Sequence, residues 1–135
     1  MTRFLALIIT LTFSSIGFAD FDKGLACARQ QEFPCALKEW VPLADQGDMV
    51  AQYNLGIMYA NGQGVKQDLF EAFKYYKLAA DQGKMNAQYN LGVMYANGQG
   101  VRQDKLEAKR WYGLACDNRS ASGCKDYKIL NEQGY

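Results

Sequence analysis

Ala51–Val65 reads AQYNLGIMYANGQGV and Ala87–Val101 reads AQYNLGVMYANGQGV, the two stretches differing only in Ile57 against Val93. They stand 36 residues apart, and the register holds beyond them. Asp45-Gln46-Gly47 pairs with Asp81-Gln82-Gly83, and Asp68, Glu71 and Ala72 pair with Asp104, Glu107 and Ala108. Self-similarity at a period of this size marks a stacked-repeat protein, in which each unit buries its apolar face against its neighbours. The period decides the fold and leaves function open, because solenoids expose long surfaces whose ligands the repeat unit does not name.

Each unit reads as two helices. In the first, Ala51, Leu55, Met58 and Tyr59 recur at helical spacing as an apolar stripe. Asn61-Gly62-Gln63-Gly64 closes it, with glycines able to take the left-handed conformation that ends a helix. The second opens at Asp68, whose carboxylate can accept from first-turn amides, and Glu71 three residues on is placed to complete a capping box. It carries Ala72, Tyr75, Tyr76 and Ala79 inward, and the next unit repeats this with Ala108, Trp111, Tyr112 and Ala115. Gly56 and Gly92 lie inside helices, where glycine costs about 1 kcal/mol against alanine. Their recurrence at one phase points to a neighbouring helix packed too close for a side chain.

The ends depart from the pattern, as terminal repeats of a solenoid do. Phe21–Gln30 reads as a short first helix and Pro34 starts a second, in which Pro42 is expected to kink or shorten the helix. Ala121–Gln133 aligns with a first helix but carries Asp126, Lys128 and Glu132, a polar cap. The expectation is an all-α chain, a right-handed α/α superhelix of seven helices. Its divisions are a capping pair over residues 20–46, repeats over 47–82 and 83–118, and a capping helix over 119–135.

Met1-Thr2-Arg3, the apolar stretch Phe4–Phe18 and Gly17-Phe18-Ala19 have the three parts of a secretory signal peptide cleaved after Ala19. Residues 1–19 are therefore read as a leader and the protein as periplasmic or secreted. The formal net charge of +1 becomes zero once Arg3 is removed. A neutral chain without a basic run argues against nucleic acid or an anionic membrane as partner. Four cysteines in an exported chain read as disulfides. Cys27 and Cys35, and Cys116 and Cys124, are each eight residues apart near opposite ends. Three connectivities are open; a helix–turn–helix reversal favours the two local pairs, each stabilising by on the order of 2–3 kcal/mol. A four-cysteine zinc site ranks below them, since it needs all four sulfurs at one point. No cofactor or metal is expected.

A helix pair closed by NGxGV, opened again by D-x-x-E-A and carrying an aromatic pair followed by Ala-Ala resembles the Sel1-like repeat, a longer-period relative of the tetratricopeptide repeat. The residues are Ala51, Leu55-Gly56, Tyr59, Gly62, Gly64-Val65, Asp68, Ala72, Tyr75-Tyr76 and Ala79-Ala80, with most counterparts 36 positions on. ACDNRSASGC, holding Cys116 and Cys124, is similar to the AC…GC pattern of the cysteine-rich Sel1-like proteins of Helicobacter. That likeness implies a disulfide from the end of one unit into the next, although Ala80 and Gln88 replace the cysteines of the middle units. The resemblance implies a binding scaffold, common in bacterial envelopes, and no particular ligand.

Catalysis is poorly provided for. The chain has no histidine, and beyond the leader it has no threonine and only Ser120 and Ser122 as serines. Hydrolases with a histidine base and His-ligated metal sites are excluded. Ser122-Gly123-Cys124-Lys125 spells S-x-x-K, the nucleophile motif of penicillin-recognising serine enzymes, and supplies the one alternative: a β-lactam or cell-wall-directed hydrolase or binder using Ser122 and Lys125. Its companion motifs S-D-N and K-T-G are absent. The preferred reading is a non-catalytic scaffold, monomeric, holding a protein or peptide.

Binding is expected on the concave side, which first helices line. Opposite the packing stripe stand Val50, Asn54, Ile57 and Asn61; their counterparts are Asn86, Asn90, Val93 and Asn97, then Ser122, Asp126, Ile129 and Gln133. Amides at matched positions can hydrogen-bond an extended peptide backbone, or else satisfy neighbouring groups inside the stack. Tyr53 and Tyr89 flank the face. Val50 and Asn86 stand where carboxylate-gripping relatives carry a cation, so no grip on a free carboxylate is expected.

Overall fold

The computed structural model describes residues 19–135, so the leader expected over 1–19 lies, apart from Ala19, outside the described residues. Among the described residues seven helices follow one another: α1 (Phe21–Arg29), α2 (Phe33–Asp45), α3 (Met49–Asn61), α4 (Leu69–Asp81), α5 (Met85–Asn97), α6 (Lys105–Asp117) and α7 (Ala121–Glu132). Each packs on the helix before and after it, which is the connectivity of an α/α solenoid. Among the described residues no helix is long and apolar enough to cross a membrane.

The repeated apolar positions form the core. Ala51, Leu55, Ala72, Ala79, Ala87, Leu91, Ala108 and Ala115 are fully buried. Leu55 and Leu91 each contribute roughly 1.5–3 kcal/mol by leaving water. Alanines let the backbones approach, and aromatic rings fill the larger gaps. Trp40, Tyr76 and Tyr112 lie over Gly24, Gly56 and Gly92 respectively: a methyl at Gly56 would stand 2.5 Å from Tyr76 Cδ1, and Tyr112 crowds Gly92 likewise. What approaches the helical glycine is thus the ring of the partner helix. The N-terminal pair uses the same device at Gly24, off the 36-residue register.

Turn chemistry agrees with the sequence in part. Gly62 and Gly98 end α3 and α5 in the left-handed region, with φ of 66° and 68°. The second glycine of each loop serves packing between units, since Gly64 abuts Phe33 and Gly100 abuts the Leu69 carbonyl. Asp68 and Asp104 cap α4 and α6 by accepting from two first-turn amides each. The reciprocal half of the capping box does not form. The Asp68 and Asp104 N–H groups donate instead to the Tyr59 and Tyr95 carbonyls, both at 2.9 Å, closing the loop onto the preceding helix. Glu71 and Glu107 pair with Lys74 and Arg110. Pro42 does not shorten α2, which runs 13 residues like α3 to α6, with the proline exposed.

Both disulfides are the local ones, Cys27–Cys35 and Cys116–Cys124, tying α1 to α2 and α6 to α7. With all four sulfurs bonded in pairs, a zinc site has no thiolate to use.

Candidate functional site

Two buried glutamines set the spacing between units. Gln52 and Gln88 donate to the Ala44 and Ala80 carbonyls at the end of the preceding helix, at 3.0 and 3.3 Å. Their own carbonyls accept from Gln82 and Asn118, at 2.7 and 2.8 Å. Asn118, the asparagine of an Asn-Arg-Ser sequon, is thereby engaged within the fold. One glutamine thus joins three consecutive helices, and sequence reading passes over it because its partners are a backbone carbonyl eight residues back and a side-chain amide 30 residues on.

Three open clefts are lined by α5 together with its neighbouring helices. The first, about 410 Å³, is bounded by Tyr53, by Met85, Asn86, Tyr89 and Asn90 of α5, and by Arg119 to Ser122 at the start of α7. The second, about 280 Å³, runs on from it between Ala60, Leu69, Tyr76, Asn90 and Val93. The third, about 210 Å³, is the second moved one unit along, with Ala96, Lys105, Tyr112, Asp126 and Ile129 at the matching positions.

Of the residues expected on the binding face, Asn86, Asn90, Val93 and Asp126 therefore line clefts, as do Ser122, Ile129 and Gln133. Val50, Asn54 and Ile57 are half-buried, Asn61 and Asn97 are exposed, and none of these five lines any of the three. Asn90 is the pivot, lining both the first and second clefts. It shares the first cleft with Asn86 and Tyr53 and the second with Tyr76. One unit on, Asp126 accepts from the Tyr89 hydroxyl at 3.0 Å. Asp126 thus holds a tyrosine of the preceding unit while also lining the third cleft.

Burial acts on these phenols. It raises the Tyr53 pKa despite the hydrogen bonds from Asn90 and Asn86, which pull it down. Burial and then the Asp126 carboxylate raise Tyr89. Tyr76 and Tyr112 are pushed up to about 12, chiefly by burial. All four are neutral hydroxyls at physiological pH, able to donate or accept hydrogen bonds.

The cation that the α3 and α5 positions lack arrives from elsewhere. Arg119, in the turn before α7, reaches the first cleft. It takes the register of Gly47 and Gly83 and keeps their left-handed backbone, φ 72° beside 96° and 91°. That replacement of glycine by arginine was the signal in the sequence, visible only as a break in the repeat.

Ser122 stands exposed in the first turn of α7, and Lys125 one turn on is exposed as well. Cys124 between them is bonded to Cys116. Neither the geometry nor any relative supports the hydrolase alternative.

The sequence model of the Sel1 repeat matches residues 50–84 and 86–120, more than half of the chain. No match is found among curated proteins. Among solved structures, a Sel1 repeat protein from Oxalobacter formigenes aligns over 85% of this chain and 47% of its own, at 28% identity and a TM-score of 0.80. A protective antigen present in uropathogenic Escherichia coli strains aligns over 84% of this chain and 25% of its own, at 31% identity and a TM-score of 0.80. This chain thus spans about half the length of the first and a quarter of the second. Cysteine rich protein B of Helicobacter pylori aligns over 71% of this chain and 70% of its own, at 25% identity and a TM-score of 0.65. Repeat sequence and solenoid geometry agree, and the chain belongs to the Sel1 repeat family.

Proposed function

We propose that this protein is a non-catalytic scaffold of the bacterial cell envelope that holds an extended segment of a protein or peptide partner along the α5 and α7 clefts. One observation carries the reading: the cleft at Tyr76, Asn90 and Val93 recurs one unit on at Tyr112, Asp126 and Ile129, so a cleft at matched positions is offered twice, with an amide in one and a carboxylate in the other. A periodic surface suits a periodic ligand, and an extended backbone presents polar groups at regular intervals. The half-buried tyrosines supply contact area and hydroxyls at low entropy cost. Export is supported by the two disulfides, which persist in oxidising compartments, and by likeness to the Helicobacter protein.

The test is crosslinked capture from envelope extract with the disulfide-intact protein beside an Asn86→Ala/Asn90→Ala variant. Proteins captured by the first and lost by the second support the scaffold and its face. Equal capture by both refutes the assignment of the face, and no specific capture by either refutes the scaffold.

A further inference from the structure

We infer that the first cleft grips a carboxylate, with Arg119 as its anchor; this deepens the scaffold reading above and rests on it. The cleft is bounded by amides, hydroxyls and one guanidinium, with Met85 and Ala121 between them, and no acidic side chain lines it. Arg119 forms no ion pair among the described residues, where the five pairs present join other side chains. A second cation stands at the rim: Lys84 Nζ lies 5.4 Å from the centre of the Tyr53 ring. Arg119 and Lys84 thus bring two cations, neither in an ion pair, to a cleft that no acidic side chain lines, which makes the local field positive.

The helix start beneath the cleft adds to this field. Helices α3, α4 and α6 are capped by Asp48, Asp68 and Asp104, each accepting from two first-turn amides. At α7 the cap is the neutral Ser120, which accepts only from the Gly123 N–H. The positive end of α7 is therefore not offset by an acid, and Ser122 there carries a hydroxyl into the cleft. A guanidinium offers a fork that matches a carboxylate in two parallel hydrogen bonds, with Asn86 and Ser122 able to donate beside it. On an extended peptide that carboxylate is either the chain terminus or a Glu or Asp side chain.

Arg119→Gly is suited to the test, because glycine already occupies the same turn at Gly47 and Gly83. The disulfide-intact protein is titrated, with amide and guanidinium NMR signals followed, using three short acetylated peptides. One ends in a free carboxylate, one is its C-terminal amide, and one is amidated with an internal glutamate. Saturable shifts at Arg119, Asn86 and Ser122 with either acidic peptide, weakened about tenfold in Arg119→Gly, are the expected result. Which acid acts identifies the source of the carboxylate. Equal binding of acid and amide, unchanged binding by Arg119→Gly, or no binding of either acid overturns the inference. Envelope capture separates this from the broader reading. Partners kept by Arg119→Gly yet lost by Asn86→Ala/Asn90→Ala leave the scaffold standing and refute the carboxylate.

Discussion

At the scale of single residues, the glycine–tyrosine contact shows propensity yielding to packing. Gly56 sits mid-helix, where alanine is favoured by about 1 kcal/mol. A Cβ there meets the ring of Tyr76, which is 5% exposed and has no room to swing away. Gly56→Ala is therefore expected to lower stability by about 1–3 kcal/mol in denaturant unfolding, reversing the sign that propensity assigns. Stabilisation would show the ring to be movable. The same burial sets an alkaline limit. Tyr76 and Tyr112 have pKa values of about 12 in the folded chain, against about 10 for an unfolded tyrosine. Above pH ~10 the native state keeps protons that the unfolded state gives up, so stability complete below that pH drains away toward pH ~12. Of the nine tyrosines, these two should ionise together with the loss of helical circular dichroism, and phenolate absorbance reports it. Ionisation of all nine with helices intact would contradict this. Repetition made Gly56 legible in the sequence. Arg119 was not legible as a cleft residue, because its place depends on how α7 folds back across α5.

Among elements, the helices could be read off the sequence and their couplings could not. Helical spacing, the Asn-Gly stops of α3 and α5 and the Asp caps of α4 and α6 located these helices, since all three signals are local. The capping box was half wrong for a nonlocal reason: the Asp68 N–H is taken by Tyr59, nine residues back across the loop, leaving Glu71 to pair along the helix surface. The glutamine lock is nonlocal too, joining α4, α5 and α6 through Gln88. Gln88→Ala removes both of its hydrogen bonds and leaves the Asn118 amide without its partner. The Ala80 carbonyl still accepts from the Gly83 N–H, which moderates the loss. Destabilisation of about 1–2 kcal/mol is expected. It should appear in hydrogen exchange at the joint between repeats, with the ends of α4 and α6 losing protection before the middle of α3. A uniform loss along the chain would show the lock to be global.

For the whole molecule, stability is a sum of units and the interfaces between them, so its ends are its weak points. The core accordingly comes in three linked clusters, around Trp40, Tyr76 and Tyr112. The last is the smallest, because α7 buries only Gly123 and Leu130 and leaves Tyr127 and Ile129 part-exposed. The disulfides stand at these two ends, where little apolar burial holds the terminal helix. Each closes a short loop and stabilises by on the order of 2–3 kcal/mol through the unfolded chain. Reduction should therefore act unevenly. Hydrogen exchange of reduced protein is expected to show α7 and α1 opening while α3 to α5 keep their protection. Arg119 lies inside the loop that Cys116–Cys124 closes, so reduction should also dismantle the first cleft and abolish binding there, leaving the second cleft intact. If both clefts lost binding together, the solenoid would be unfolding as one body and the independence of its ends would be refuted. If neither did, the disulfide would be dispensable to the turn that carries Arg119.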